Sequence, residues 1–563
     1  MLQTLATAWR LIRPYWVSED RWPARAMLAF IVALDLLIVY RATRISFWQK
    51  DFYDALAAHQ AEAFSRLLLE LLVIATAGIA MDTTRIWMGQ ALEMRWRHWM
   101  TTATLARWLG GNAFYRMEQA ARTDNPDQRI AEDLRLLASD SLRLLLGLLS
   151  TAVSLASFSV IAWGLAATLS FTLAGQAWDI PRFLLWAAVF YAVAGSLVME
   201  KIGRPLVTVD YQQQQCEADF RYLLVRVREN AEQIAFYRGQ SAEQVRLADT
   251  FAALRANWRG VMGYTKRLTI ASSTYTEFGA YVPYLINGPR FFAGLMTLGD
   301  LMQATQAFMR VRVGLSWFIY KYKDVALLRS VVQRLSEFEA ALGSTPTVPC
   351  APRAIRIDIH ADGCTALQTR HLQLHRPDGR PLCPPLAWHI ASGDRWLVQG
   401  PSGTGKSTLL RALAGLWPHG SGQILWPADA RSLFIPQQSY LPTGTLRECL
   451  CYPSTAHAFS TPACTQALED SRLAPLAVRL DERGDWAHNL SPGEQQRLAF
   501  ARVLLHRPSH VFLDEATSAL GVKDETLLYQ AVTAQLPGIT LISVGHRESL
   551  RAVHPQVLEL KPF

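Results

Sequence analysis

The residues best equipped for chemistry lie in the last third of the chain. Gly400, Pro401, Ser402, Gly403, Thr404, Gly405, Lys406 and Ser407, followed by Thr408, have the spacing G-x-x-x-x-G-K-S. Glycines let backbone N–H groups close around a phosphate, the lysine neutralises β/γ oxygens, and the serine hydroxyl suits the shell of a Mg²⁺ ion. The run therefore predicts binding of ATP or GTP. An apolar strand is expected over 395–399 and a helix over 407–415, which places the phosphates at a helix N-terminus. Downstream, the apolar run Val-Phe-Leu at 511–513 leads into Asp514 and Glu515. That pairing suits one carboxylate for the metal shell and one to polarise an attacking water.

Three further motifs surround these two: Gln437 in Ile-Pro-Gln-Gln at 435–438, Leu-Ser-Pro-Gly-Glu-Gln at 490–495, and His546 in Ser-Val-Gly-His at 543–546. Alone, Gln437 reads equally well as a satisfied loop glutamine and His546 as a packed histidine at a strand end. In this order, the set resembles the Q-loop, signature sequence and H-loop of ABC ATPases. The resemblance implies catalytic roles for Glu515, His546 and Gln437, a Mg²⁺ shell from Ser407, Asp514 and Gln437, and ATP sandwiched between two chains. Ser491, Gly493 and Glu494 of one copy would then face the nucleotide held by the phosphate loop of the other, so a dimer is expected. Glu494 stands where glutamine is commoner. Relatives also usually read Ser-Ala-Leu-Asp after Glu515, an aspartate that helps couple the two sites, whereas here position 521 is Gly521. No aromatic residue suited to stacking on adenine occurs in 371–381.

A chain of 563 residues exceeds one core, and the nucleotide motifs occupy only the part beyond about residue 355. Apolar windows at 26–40, 67–81, 144–169, 183–199, 273–295 and 301–320 predict six membrane spans. Arginines 95, 97, 107, 116, 122, 129, 135 and 143 lie between the second and third windows, and only one in 170–182. The arginine-rich side is therefore the cytoplasmic one. The net charge of +9 is then a topology signal rather than a nucleic-acid footprint. All seven cysteines, Cys216, Cys350, Cys364, Cys383, Cys449, Cys451 and Cys464, fall on that side without zinc-site spacing and are expected to be reduced. Residues 1–22 read as an amphipathic entry helix with Trp9, Tyr15 and Trp16 at the interface, not a cleaved signal. Pro346, Pro349 and Pro352 mark a linker, giving domains 1–342 (transmembrane), 343–355 (linker) and 356–563 (ATPase).

Within the membrane part, Thr-Asp-Asn-Pro-Asp-Gln-Arg-Ile at 123–130, Glu-Ala-Asp-Phe-Arg-Tyr at 217–222, Arg-Val-Arg-Glu-Asn-Ala-Glu at 226–232, Ile-Ala-Phe-Tyr-Arg-Gly at 234–239, Phe-Tyr-Asp-Ala-Leu at 52–56 and Leu-Gly-Asp-Leu-Met-Gln at 298–303 resemble the ABCD group. That group includes peroxisomal acyl-CoA transporters and bacterial half-transporters whose membrane domain is similar to SbmA/BacA. The resemblance implies an α-helical, six-span exporter-type membrane domain, domain-swapped in a homodimer, fused to a cytoplasmic α/β ABC ATPase. It further implies an ATP-driven transporter in a bacterial cytoplasmic membrane, in contact with lipid and moving a peptide, cobalamin-like or acyl/anionic substrate. An ATP-gated channel or regulator is the alternative, and the direction of transport is open. Gln303, Gln306, Arg310 and Lys321 share a polar face of the last span. Arg310 is expected to form an intramembrane ion pair with Asp35 or Glu70, with an anchor for an anionic substrate as the rival reading.

Overall fold

The computed structural model describes residues 2–120, 125–165, 169–173, 176–180, 182–343, 355–360 and 366–563. Of the residues singled out above, Arg122, Thr123, Asp124, Pro346, Pro349, Cys350, Pro352 and Cys364 lie outside the described set. The chain forms two compact units, Met1–Ser344 and Thr345–Phe563.

In the first unit an entry helix, Leu2–Val17, precedes six long helical stretches, each carrying one apolar window. They are Arg21–Ala57, Ala61–Leu109, Leu134–Leu165, Phe183–Glu229, Gln240–Phe292, and Leu298–Leu315 continued after Ser316 by Trp317–Gly343. The first four are apolar and long enough to cross a membrane by length and composition. The fifth and sixth carry Asn287, Gln303, Gln306, Arg310 and Arg312, polar groups that belong to a protein interior or cavity rather than to lipid. Gln240–Phe292 has 53 residues, about 80 Å at the rise of an α-helix, so it runs far beyond a hydrocarbon core of about 30 Å. Outward apolar side chains such as Leu72, Ile79, Val160 and Phe190 are exposed on this unit and call for a lipid or protein cover. A two-stranded hairpin, Leu169–Leu173 with Gln176–Ile180, links the third and fourth spans.

One core joins the entry helix to the second, third and sixth stretches through Tyr15, Trp96, Leu137, Val331 and Phe338. Tyr15 is fully buried and stacks on Trp96 at 5.6 Å. This corrects its expected place at the interface, whereas Trp9 is 60 % exposed. Four of the arginines between the second and third apolar windows form ion pairs: Arg95 with Asp20, Arg107 with Glu339, Arg143 with Asp140, and Arg129 with the buried Asp133, which Arg334 of the sixth stretch also meets. Asn125 adopts the left-handed conformation (φ 50°) at the N-cap of a turn led by Pro126.

The two outer motifs of the sequence meet. Asp54 Oδ1 accepts the Gly299 N–H at 2.9 Å, and Lys50 pairs with Asp300 at 2.8 Å. A Cβ on Gly299 would lie 2.2 Å from the Lys50 carbonyl oxygen, so only glycine permits this approach of the first span to the sixth.

In the second unit a parallel sheet runs in the order Gln556–Glu559, Arg395–Gln399, Thr540–Val544, His510–Asp514, Ser432–Ile435. The middle strands are buried on both faces, which accounts for their nearly unbroken Val/Ile/Leu/Phe runs. A second sheet orders Ile355–His360, Gly420–Pro427, Leu367–Leu374 and Leu386–Ile390. The five described cysteines are free, and burial pushes the Cys449 thiol up to about 11, as suits an inert core thiol.

Candidate functional site

The carboxyl ends of Arg395–Gln399, His510–Asp514 and Thr540–Val544, adjacent in the parallel sheet, carry the phosphate loop, the two carboxylates and His546. This is the edge where open α/β sheets bind ligands. Gly405 (φ 91°) is the N-cap of the helix Lys406–Leu413. At Gly400 a Cβ would lie 2.4 Å from the Leu560 carbonyl oxygen, so both positions demand glycine. Lys406, 7 % exposed, folds back over the loop and donates to the carbonyls of Gly400 and Pro401 at 2.8 and 3.0 Å. Its ammonium thus lies within the turn that the N–H groups of the loop would offer to phosphate. Thr404 Oγ1 donates to the Pro401 carbonyl at 2.9 Å, bracing the turn from within.

Ser407 Oγ donates to Asp514 Oδ1 at 3.0 Å. Burial holds the Asp514 carboxyl above its ordinary value, the Ser407 hydrogen bond opposing the shift and the Glu515 charge adding to it. A hydroxyl, this carboxylate and the Gln437 amide oxygen make a hard-oxygen set, the kind Mg²⁺ takes in small number when phosphates and waters supply the rest. Among the described residues no cluster of three or more His, Cys, Asp or Glu forms a dedicated metal cage. Glu515 leaves the strand in the left-handed region (φ 49°), a conformation that costs energy for a non-glycine residue and is found where function fixes geometry. Its Oε2 accepts from Gln437 Nε2 at 3.1 Å and its Oε1 lies 3.6 Å from His546 Nε2. The residues expected at the γ-phosphate are thus brought together, with Glu515 in the middle.

Ser491 caps the helix Pro492–His506 and is exposed. Within one chain Glu494 completes a capping box with Ser491. Its carboxylate accepts the Ser491 N–H at 2.9 Å and the Ser491 hydroxyl at 2.7 Å, which holds it below the usual glutamate range. An anion here would repel a phosphate but serves well in a capping box. Gln495 Nε2 anchors the approach to this helix on the carbonyls of Ala487 and Leu490. Gly493 lies beside the turn at 518–520, a Cβ there being 3.5 Å from the Ala519 carbonyl oxygen. Sequence reasoning missed Gln496, Glu525 and Arg547, which tie this turn to the signature helix and to the loop after Thr540–Val544. Nothing in their spacing distinguishes them from surface polar residues of helices.

In the membrane unit the expected ion pair with Arg310 is not formed. Asp35 pairs with Arg85 at 3.1 Å and Glu70 with Arg44 at 3.1 Å. Arg310 is exposed and its guanidinium lies 5.6 Å from the centroid of the Phe158 ring. The inward cation is Arg312, buried, donating to the Tyr275 carbonyl at 2.9 Å. Gln303 and Gln306 share the helix Leu298–Leu315 with Arg310, but Lys321 belongs to the next helix, beyond the break at Ser316, and pairs with Asp324.

Residues 11–292 match the model of the ABC transporter transmembrane region 2, and residues 384–518 that of the ABC transporter. This chain belongs to the ABC transporter family. It is 33 % identical to the inner membrane ABC transporter ATP-binding protein YddA of Escherichia coli over 95 % of this chain and 94 % of that protein. It is 27 % identical to the lysosomal cobalamin transporter ABCD4 of Homo sapiens over 99 % and 94 % of the two chains. A solved bacterial Atm1-family ABC exporter with ATP bound shares the fold, with a TM-score of 0.74 and 21 % identity over 95 % of this chain and 93 % of that one. With membrane region and ATPase in one polypeptide and relatives of the D type, the chain is an ABCD-type half-transporter that binds ATP and couples its hydrolysis to transport across a membrane.

Proposed function

We propose that two copies of this half-transporter form a pump in a bacterial cytoplasmic membrane, with the ATPase units in the cytoplasm and two composite nucleotide sites. In each site Lys406 and the loop 400–405 bind the phosphates, and Ser407, Asp514 and Gln437 would hold a Mg²⁺ ion, which would supply charge neutralisation for the phosphates. Glu515 orients and polarises water, and His546 contacts the γ-phosphate. The partner's copy of the signature serine and glycine closes the site. The transmembrane part is 1–342, the linker 343–355 and the ATPase 356–563, with spans crossed between the copies. The likeness of the membrane domain to SbmA/BacA belongs to the same reading.

The observation that carries the proposal is the pairing of one phosphate loop with one exposed, pre-capped Ser491 per chain. Glu494 holds that serine in place, so the signature is built without a nucleotide partner of its own. For substrate, Arg310 is the exposed cation of the last span, beside Gln306 and the buried Gln303, and among the described residues it forms no ion pair. These side chains suit an anionic or amide-bearing cargo, and the cobalamin transport named for the human relative makes cobalamin a first candidate beside peptides and acyl-CoA.

Mixing tests the composite site. Lys406→Ala and Ser491→Arg chains, each inactive alone, regain ATPase activity when co-assembled, because one site of the mixed pair is intact. A mixture as inactive as its components contradicts the proposal.

A further inference from the structure

We infer that Arg547 is a positioning residue for ATP hydrolysis: it fixes the exposed turn 518–521 to the residue it follows, His546. Its Nη1 donates to the Leu520 carbonyl at 2.7 Å and its Nη2 to the Ser518 carbonyl at 3.0 Å. A guanidinium can hold two carbonyls in fixed relative positions because its donors are set in one plane. The fork is itself held by Glu525, whose side chain is 1 % exposed and lies 3.4 Å from Nη1. Thr517 Oγ1 and Ser549 Oγ donate to the two oxygens of the same carboxylate at 2.6 and 2.5 Å. The buried carboxylate thus gathers one hydroxyl from the chain just after Glu515 and one from the chain just after His546.

On its other side the turn is held by the signature helix. Gln496 Nε2 donates to Ser518 Oγ at 3.0 Å, and its Oε1 accepts the Ala519 N–H at 2.9 Å. Gly521 contributes no side chain, and a Cβ there would meet nothing within 4 Å. The turn is therefore positioned by Arg547 and Gln496 rather than by a carboxylate of its own. A shift of the backbone at His546 moves the guanidinium, the guanidinium moves the carbonyls of Ser518 and Leu520, and Gln496 carries the movement to the helix capped by Ser491. This inference rests on the two-copy site proposed above.

The test uses full-length protein reconstituted in vesicles. Arg547→Lys keeps the charge facing Glu525 but replaces the planar fork by a point donor. It is expected to lower kcat about ten-fold or more with KM for ATP within about two-fold, and to bring the Hill coefficient towards 1, at unchanged melting temperature. Arg547→Gln alone leaves Glu525 buried without its cation and is expected to unfold more easily. The double variant Arg547→Gln/Glu525→Gln removes that charge and is expected to melt like wild type yet stay slow and non-cooperative. Wild-type kcat and Hill coefficient in the double variant, or an Arg547→Lys loss that merely follows a lower melting temperature, overturns the inference. A cooperative wild type beside an equally fast and cooperative Arg547→Lys variant overturns the inference alone, whereas a wild-type Hill coefficient of 1 overturns the two-copy reading with it.

Discussion

Gln437 Nε2 donates to Glu515 Oε2 at 3.1 Å across 78 residues of sequence, while the other carboxylate oxygen lies 3.6 Å from His546 Nε2. Both oxygens of the proposed base are therefore addressed by the two side chains proposed to sit at the γ-phosphate and its metal. Withdrawing either neighbour towards phosphate frees an oxygen of Glu515 for water. The left-handed backbone of Glu515, at the end of a strand whose first four residues are buried, fixes the direction of this carboxylate before any ligand contact is made.

Replacing Gly521 by Asp is expected to stabilise the protein by a few tenths of a kcal/mol, since Gly521 is the N-cap of the helix Val522–Gln535 without a capping side chain and has open space around it. The same carboxylate is expected to raise the Hill coefficient for ATP. Calorimetry and steady-state ATPase assays check both, and an unchanged Hill coefficient marks position 521 as neutral in coupling.

Arg310→Gln is expected to leave the melting temperature and basal ATPase activity unchanged and to abolish stimulation by an anionic substrate, because Asp35 and Glu70 keep their own partners, Arg85 and Arg44. Full stimulation by the transported anion in the variant rejects the anchor, and a lower melting temperature restored by Asp35→Asn or Glu70→Gln would return the ion pair.

The nucleotide site was largely legible in the sequence because its parts are local: a glycine-lysine-serine spacing, an apolar strand ending in two carboxylates, a histidine at the next strand's end. Asp35 and Glu70 were not, because partner choice between two long helices depends on their rotation and axial offset, which spacing along one helix does not encode. Tyr15 shows the same limit, since an amphipathic helix has one aromatic face whether it meets lipid or, as here, Trp96. The motif around Glu494 suggests a ligand contact, and Ser491 three residues before it also spells the capping box that forms. Arg547 and Glu525 were invisible because their importance comes from meeting in space 22 residues apart around a buried carboxylate.

Acid is expected to weaken the ATPase unit through His554. Burial pushes this histidine down to about 4 from 6.5, so between those values the unfolded chain takes up a proton that the native protein refuses. Stability from this group is complete above pH 6.5 and falls as pH drops towards 4, by about 3 kcal/mol in all. Denaturation of the solubilised protein across that window checks it: His554→Phe should flatten the slope, and an unaltered slope places the acid sensitivity elsewhere.

Hydrolysis at Glu515 is expected to drive transport. The most direct measurement is uphill accumulation of cobalamin, peptide or acyl-CoA in vesicles holding wild-type protein or Glu515→Gln, with ATP binding measured on both. Wild type is expected to accumulate at least one of these against a gradient in an ATP-dependent way. Glu515→Gln is expected to retain ATP binding and to lose both hydrolysis and accumulation, because an amide does not polarise water as a carboxylate does. Undiminished turnover in the variant, or flux in wild type that never exceeds equilibration, contradicts this expectation.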